Sequence, residues 1–263
     1  MPTVREIEQA LFDWAPRSLA EDWDNVGLLC GRAEREVERV LVALDPFEDV
    51  CREAHERGAQ LIVTHHPLIF TPPKSVTDRD SVGRCILYLA RHDIAAVNAH
   101  TNLDCAVGGV NDVLARTLGL TDIRVIGAEK QDAQGRTCGL LRAGYTEEMD
   151  AAAFAALVKD RLRCDGLRYV NAGRDVHFVA VGGGACGSEL LDVVDAGCDT
   201  FVTADLKYNQ LWDAHDLGVN IIDAGHFETE NPVCAALAGF LRERFPRLDV
   251  LLSEMHADPI KFL

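Results

Sequence analysis

Three short segments hold most of the side chains in this sequence that could do chemistry. The first is Thr64-His65-His66-Pro67, directly after the apolar run Leu61-Ile62-Val63. Adjacent side chains of a strand point to opposite faces, but at the carboxyl end that constraint relaxes and two neighbouring imidazoles can converge. The second, NAHTNLD from Asn98 to Asp104, sets His100 and Asp104 four apart, with Asn98, Thr101 and Asn102 adding hydrogen-bonding capacity. The third, DAGHFETE from Asp223 to Glu230, follows another apolar run; His226 and Glu230 are spaced i, i+4 and share one face once a helix has begun. Glu228 points away from them and suits the helix N-terminus, where the dipole favours acidic residues. Taken singly, each segment also has an ordinary reading: a polar loop, an Asx-rich turn that caps the next helix, a solvated helix start.

Together they say more. His65, His66, Asp104, His226 and Glu230 supply three imidazoles and two carboxylates from three strand ends. That mixed set suits Zn, Fe, Mn, Co or Ni, whereas Ca and Mg prefer oxygen alone. A catalytic zinc site uses three protein ligands and keeps a position open, so five donors suit two divalent ions sharing a bridging carboxylate, Glu230 foremost. His100 and His256 are the candidate proton donors. Asp24, Asn25 and Asp45 read as turn or cap residues that could also support the ligands. His55, His92, His177 and His215 read as non-ligands. Gly182 to Gly184 with Gly187 lacks the spacing and the lysine of a phosphate loop and reads as a tight strand-to-helix turn.

Such donors need strands that end together. Thr3 and Glu6 form a capping box for a helix through about Trp14. Strands are expected at Val37 to Leu44, Leu61 to Thr64 and Ile94 to Asn98, with helices at Glu48 to Arg57, about Val82 to Arg91, and Val107 to Leu118. Beyond residue 121 the pattern changes to strands at 137–144, 167–173, 177–181, Thr200 to Thr203 and Val219 to Asp223. Helices are expected there at about Glu148 to Leu162 and Lys207 to Leu217, and a long one up to about Phe245. This alternation predicts an α/β protein of two α/β domains. The first, 1–125 plus 225–263, would hold a mainly parallel sheet flanked by helices; the second, 126–224, would be a smaller α/β domain inserted in it.

Composition narrows the function classes. With 26 Lys and Arg against 42 Asp and Glu, the net charge is −16, which repels extended nucleic acid. No apolar stretch approaches the ~20 residues of a membrane span. The start MPTVREIEQALFDW reads as an amphipathic helix rather than a signal peptide, so a cytoplasmic location is expected. Nine cysteines, none in a C-x-x-C pair, read as reduced, packed thiols.

Four segments in order, WDNVGLLCG, LVALD through LIVTHHPLIF, NAHTNLDCAVGGVNDVLA and VNIIDAGHFETE, resemble the GTP cyclohydrolase I type 2-like family, also called the Nif-three-like family. The resemblance runs from about residue 5 to the C-terminus and implies a dinuclear metal site held by His65, His66, Asp104, His226 and Glu230. It also implies a homo-oligomer, a ring of six built from dimers. Where the family often has T-G-D and then a Tyr-His pair, this chain has Thr203-Ala204-Asp205 and Tyr208-Asn209. Two functions follow as expectations. One is a metal-dependent hydrolase with a small-molecule substrate, either a nucleotide attacked by hydroxide at purine C8, as in GTP, or a phosphoester. The other is a non-enzymatic metal-handling or regulatory interaction protein.

Overall fold

The computed structural model describes residues 1–263. In chain order the first elements are α1 (Val4–Trp14), β1 (Gly27–Cys30), β2 (Arg39–Ala43), α2 (Glu48–Glu56), β3 (Leu61–Thr64), α3 (Ser81–Arg91), β4 (Ala95–Asn98) and α4 (Thr101–Cys105). There follow α5 (Val110–Thr117), β5 (Thr121–Gln131), β6 (Thr137–Met149), α6 (Ala151–Leu162), β7 (Arg168–Val170), β8 (Val176–Val181), α7 (Leu190–Asp195) and β9 (Thr200–Thr203). The last are α8 (Tyr208–Asp216), β10 (Asn220–Asp223), α9 (His226–Glu230), α10 (Pro232–Arg244) and β11 (Asp249–Leu252). None of the helices is long and apolar enough to cross a membrane.

The chain forms two compact units, Met1–Leu103 with Val233–Ala257, and Asp104–Pro232 with Asp258–Leu263. Both expected borders, 125 and 225, fall inside the second unit, and the two units are near-equal in length rather than large and small. The reason is packing. Leu114, Ala115 and Leu118, on and just after α5, sit in the same core as Val179 of β8 and Val202 of β9. The second unit therefore begins before α5 and keeps α9.

In the first unit the strand order is β1-β4-β3-β2-β11. β2, β3, β4 and β11 run parallel, and β1 pairs antiparallel with β4. LIVT of β3 and AAVN of β4 are buried throughout, as expected for strands covered on both faces. Thr64 is in register with Asn98, so these two strands end level and the residues after them start from one edge.

The second unit's sheet is mixed, in the order β5-β6-β8-β9-β10-β7. β8, β9 and β10 are parallel at its centre, and the outer pairings are antiparallel. Side chains alternate between two cores. Val179 and Val181 join Phe154 and Val158 of α6, while Phe178 and Ala180 join Val193 of α7 and Ala214 of α8. Asp223 is in register with Thr203, which again levels two strand ends. The helix expected from Glu148 begins at Ala151, because β6 runs on to Met149 and Asp150 caps the helix by accepting from the Ala153 N–H at 2.8 Å.

Candidate metal centre

The level ends of β3 and β4 gather three imidazoles in the first unit. One ring nitrogen from each of His65, His66 and His100 lies within 4.8 Å of the others. Each ring is held at its Nδ1. His65, fully buried, has Nδ1 2.9 Å from the Ala99 carbonyl oxygen. A carbonyl can only accept, so that nitrogen carries the proton and Nε2 becomes the coordinating atom. His66 has Nδ1 2.6 Å from Asp45 Oδ1, and His100 has Nδ1 2.8 Å from Asp24 Oδ1. The strand end is fixed as well: the His66 N–H donates to the Leu44 carbonyl at 2.9 Å, and the Thr64 hydroxyl donates to the His66 carbonyl at 2.7 Å.

The two aspartates are anchored in turn. Asp24 Oδ2 accepts from the Thr101 N–H at 3.0 Å and from its hydroxyl at 2.5 Å. Asp45 Oδ2 lies 3.0 Å from Nε2 of His256. Burial alone would raise both carboxyls. The hydrogen bonds from His100 and Thr101 at Asp24, and from His256 and His66 at Asp45, outweigh it and hold both well below the usual carboxylate range. Both are therefore carboxylates beside imidazole N–H groups, the arrangement that orients a histidine for a metal.

The second unit carries an imidazole and two carboxylates. Asp104 lies on α4, and His226 and Glu230 lie one turn apart on α9. Carboxylate oxygens of Asp104 and Glu230 come within 4.8 Å of each other, and His226 Nε2 is 3.1 Å from Glu230 Oε2. Two donors at the usual ~2.0–2.2 Å from one ion stand roughly 3 Å apart, so this spacing suits shared coordination. His226 Nδ1 is held at 2.7 Å by Oδ2 of Asp205, which follows β9 in a left-handed conformation at φ 54°. Burial first, then the charges of Asp104 and Glu230, pushes the Cys186 thiol well above its ordinary pKa.

A glycine cradle makes room for these donors. Gly184 has φ +65°, and a Cβ there would stand 2.2 Å from Glu230 Oε1 and 3.1 Å from His226 Nε2. Its N–H donates to the Thr229 hydroxyl at 3.0 Å, while the neighbouring Gly183 N–H donates to Asn111 Oδ1 at 2.7 Å. The fully buried Asn111 also reaches the Asp104 carbonyl at 3.3 Å, linking the cradle to the start of the unit. Arg142, 2% exposed, donates to the carbonyls of Cys105 and Ala106 and pairs with Asp112 at 3.0 Å, which fixes the backbone just after Asp104.

The remaining sequence candidates are placed elsewhere. His256 sits behind Asp45 with its side chain 5% exposed. Asn25 donates to the Ile69 carbonyl at 2.6 Å. Glu228 folds back over Gly225, at its own helix N-terminus. The His55 and His92 rings lie 3.8 Å apart and tilted to each other, His177 Nδ1 meets the Thr146 carbonyl, and His215 meets Asp216. The residues that motif reading passed over are Asp205, Asn111 and Arg142. Only Asp205 had a signal, as an acidic residue just after a strand.

These His, Asp and Glu groups could hold a metal ion: an acceptor at Nδ1 orients each imidazole, and the glycine cradle leaves room at Glu230. The family model of Duf34/NIF3 (NGG1p interacting factor 3) matches residues 2–259. The chain belongs to this family. It is 34% identical over 265 residues to a Clostridium perfringens protein called GTP cyclohydrolase 1 type 2 homolog, covering 99% of each chain. A Streptomyces coelicolor protein of the same name is 38% identical over 269 residues, covering 98% of this chain and 94% of that one. Among solved structures, a Bacillus cereus protein related to NIF3 superposes with a TM-score of 0.92 at 28% identity, covering 100% of this chain and 99% of that one. Staphylococcus aureus protein SA1388 gives 0.91 at 30% identity, covering 100% and 99%.

Proposed function

We propose that the chain is a dinuclear metal-dependent hydrolase in which His65, His66, Asp104, His226 and Glu230 form one ligand set. The observation that carries this reading is the anchoring of Nδ1 in His65, His66 and His226, and in the neighbouring His100, by an oxygen acceptor in every case. Four imidazoles oriented at Nδ1, three of them by aspartates, have no counterpart in a solvated loop. When bound, two divalent ions would supply Lewis acidity and a water of lowered pKa. His100, held by Asp24, is assigned to proton donation. His256 is assigned to holding Asp45. The relatives' name supports a nucleotide substrate, with hydrolytic opening of the purine imidazole ring at C8 as the reaction and phosphoester hydrolysis as the variant. We assign the chain to a homo-oligomeric ring of six.

The deciding experiment assays the chain, supplemented with Mn, Zn, Fe or Co, for turnover of GTP and of simple phosphoesters. Metal-free protein and His66→Ala serve as controls. Turnover that needs both the metal and His66 supports the hydrolase. Tight metal binding without turnover of any substrate leads to the metal-handling reading, which the net charge of −16 also favours through cation attraction.

A further inference from the structure

Two aromatic side chains beside the imidazole cluster have no part in the metal reading. Trp23 is 60% exposed and Phe70 is 56% exposed. Their ring centroids are 5.6 Å apart, and each lies 6.2 Å from the His100 ring, which stands steeply tilted to both. The three rings already touch, so no ligand fits between them. What they offer is an outward aromatic surface next to His100.

That surface is braced. The Trp23 loop is pinned by Asp24, which accepts from Thr101, and by the Glu21 N–H, which donates to the Thr101 hydroxyl at 2.9 Å. Asn25 ties the same loop to the Ile69 carbonyl, one residue before Phe70. The hydrogen bonds that orient His100 thus also tie down the backbone beside both rings, which lowers the ordering a ligand must supply.

Size and charge select the ligand. Two aromatic rings bury about 150–250 Å² each, well short of the ~800 Å² per partner that a stable protein interface needs. The flanking Glu21 and Asp22 are exposed and acidic, which disfavours recognition through phosphate. A planar heteroaromatic ring meets neither objection, since stacking is indifferent to charge at the sugar or phosphate end. We infer that Trp23 and Phe70 form a stacking platform that seats the base of a purine nucleoside or nucleotide beside His100. The inference rests on the hydrolase reading in that it places a substrate at the imidazole cluster.

The test titrates guanosine into the full chain, with and without metal, by calorimetry and tryptophan fluorescence. Only Trp14, Trp23 and Trp212 contribute to the signal. Guanosine is expected to bind and to change the emission, and Trp23→Phe to keep the affinity while losing most of the change. Phe70→Ala and Trp23→Leu are each expected to weaken guanosine binding about tenfold, with metal content by elemental analysis unaltered. Ribose 5-phosphate and inorganic tripolyphosphate should leave the emission unchanged. Wild-type protein that binds metal but not guanosine overturns the platform and leaves the metal reading standing. Guanosine binding that depends on both rings in protein unable to hold metal supports the platform while the hydrolase reading falls. Phe70→Ala that changes the mass by light scattering but not the guanosine affinity overturns the platform and assigns the rings to a contact between copies.

Discussion

Asp45 stands between two histidines, with Oδ1 2.6 Å from His66 Nδ1 and Oδ2 3.0 Å from His256 Nε2. One carboxylate thereby fixes the ring that would bind metal and a second ring supplied by the last residues of the first unit. Asp45→Asn keeps the shape but loses the charge. Removing such an orienting group is expected to weaken metal binding about 10–100-fold, read by competition with a chromophoric chelator. His256→Ala, which leaves Asp45 in place, is expected to have the smaller effect.

Gly184→Ala tests the cradle. The new Cβ would meet Glu230 at 2.2 Å, and the left-handed backbone adds about 1–2 kcal/mol for any residue with a Cβ. The expected outcome is a folded protein by circular dichroism, a few degrees less stable, with metal content well below wild type by elemental analysis.

Glu230→Ala tests the bridge. Supplemented wild-type protein is expected to hold close to two ions per chain, and the variant to lose both. A variant that binds metal like wild type removes Glu230 from the ligand set.

Glu53 gives a pH dependence independent of metal. Burial would raise its carboxyl, but hydrogen bonds from Ser253, the Glu254 N–H, Arg57 and the Met255 N–H outweigh it and lower its pKa from the ordinary value of 4.5. Folding thus favours the charged form. Its stabilisation is complete above about pH 4.5 and is lost as the pH falls through the depressed folded value. Glu53→Gln is expected to cost roughly 1.5–3 kcal/mol at pH 7 in denaturant titrations, and the difference from wild type should shrink in acid.

The cysteines should be quiet. Burial pushes Cys164 and Cys198 up to about 12, in both cases as the leading cause. Iodoacetamide at pH 8 should label these two slowly in the native chain and promptly in denaturant, as mass spectrometry of the peptides would show.

Strand ends with His-His and His-Glu were legible in the sequence because donors and strand are contiguous, and register alone brings β3 level with β4. The orienting aspartates were harder to read. Asp24 is 76 residues from His100, and Asp45 is 211 from His256, so no local spacing announces either pair. β5 escaped notice because its outer face is largely exposed and polar, without a buried alternation to count. The domain borders moved for a similar reason: the apolar face of α5 looks the same in sequence whichever core receives it.

The path of the chain also orders its synthesis. Residues 104–232 form the bulk of one unit without interruption, whereas the other must wait for Val233–Ala257. Translation proceeds at roughly 5–20 residues per second, and domains fold as units when their residues emerge. The Asp104, His226 and Glu230 group can therefore take shape on the ribosome first. β11 has yet to flank β2 at that moment, and Ser253 to His256 have yet to reach Glu53 and Asp45. The His256 ring that meets Asp45 follows β11, so a nascent chain stalled before residue 253 would carry its carboxylate donors assembled and its Asp45 without the His256 contact.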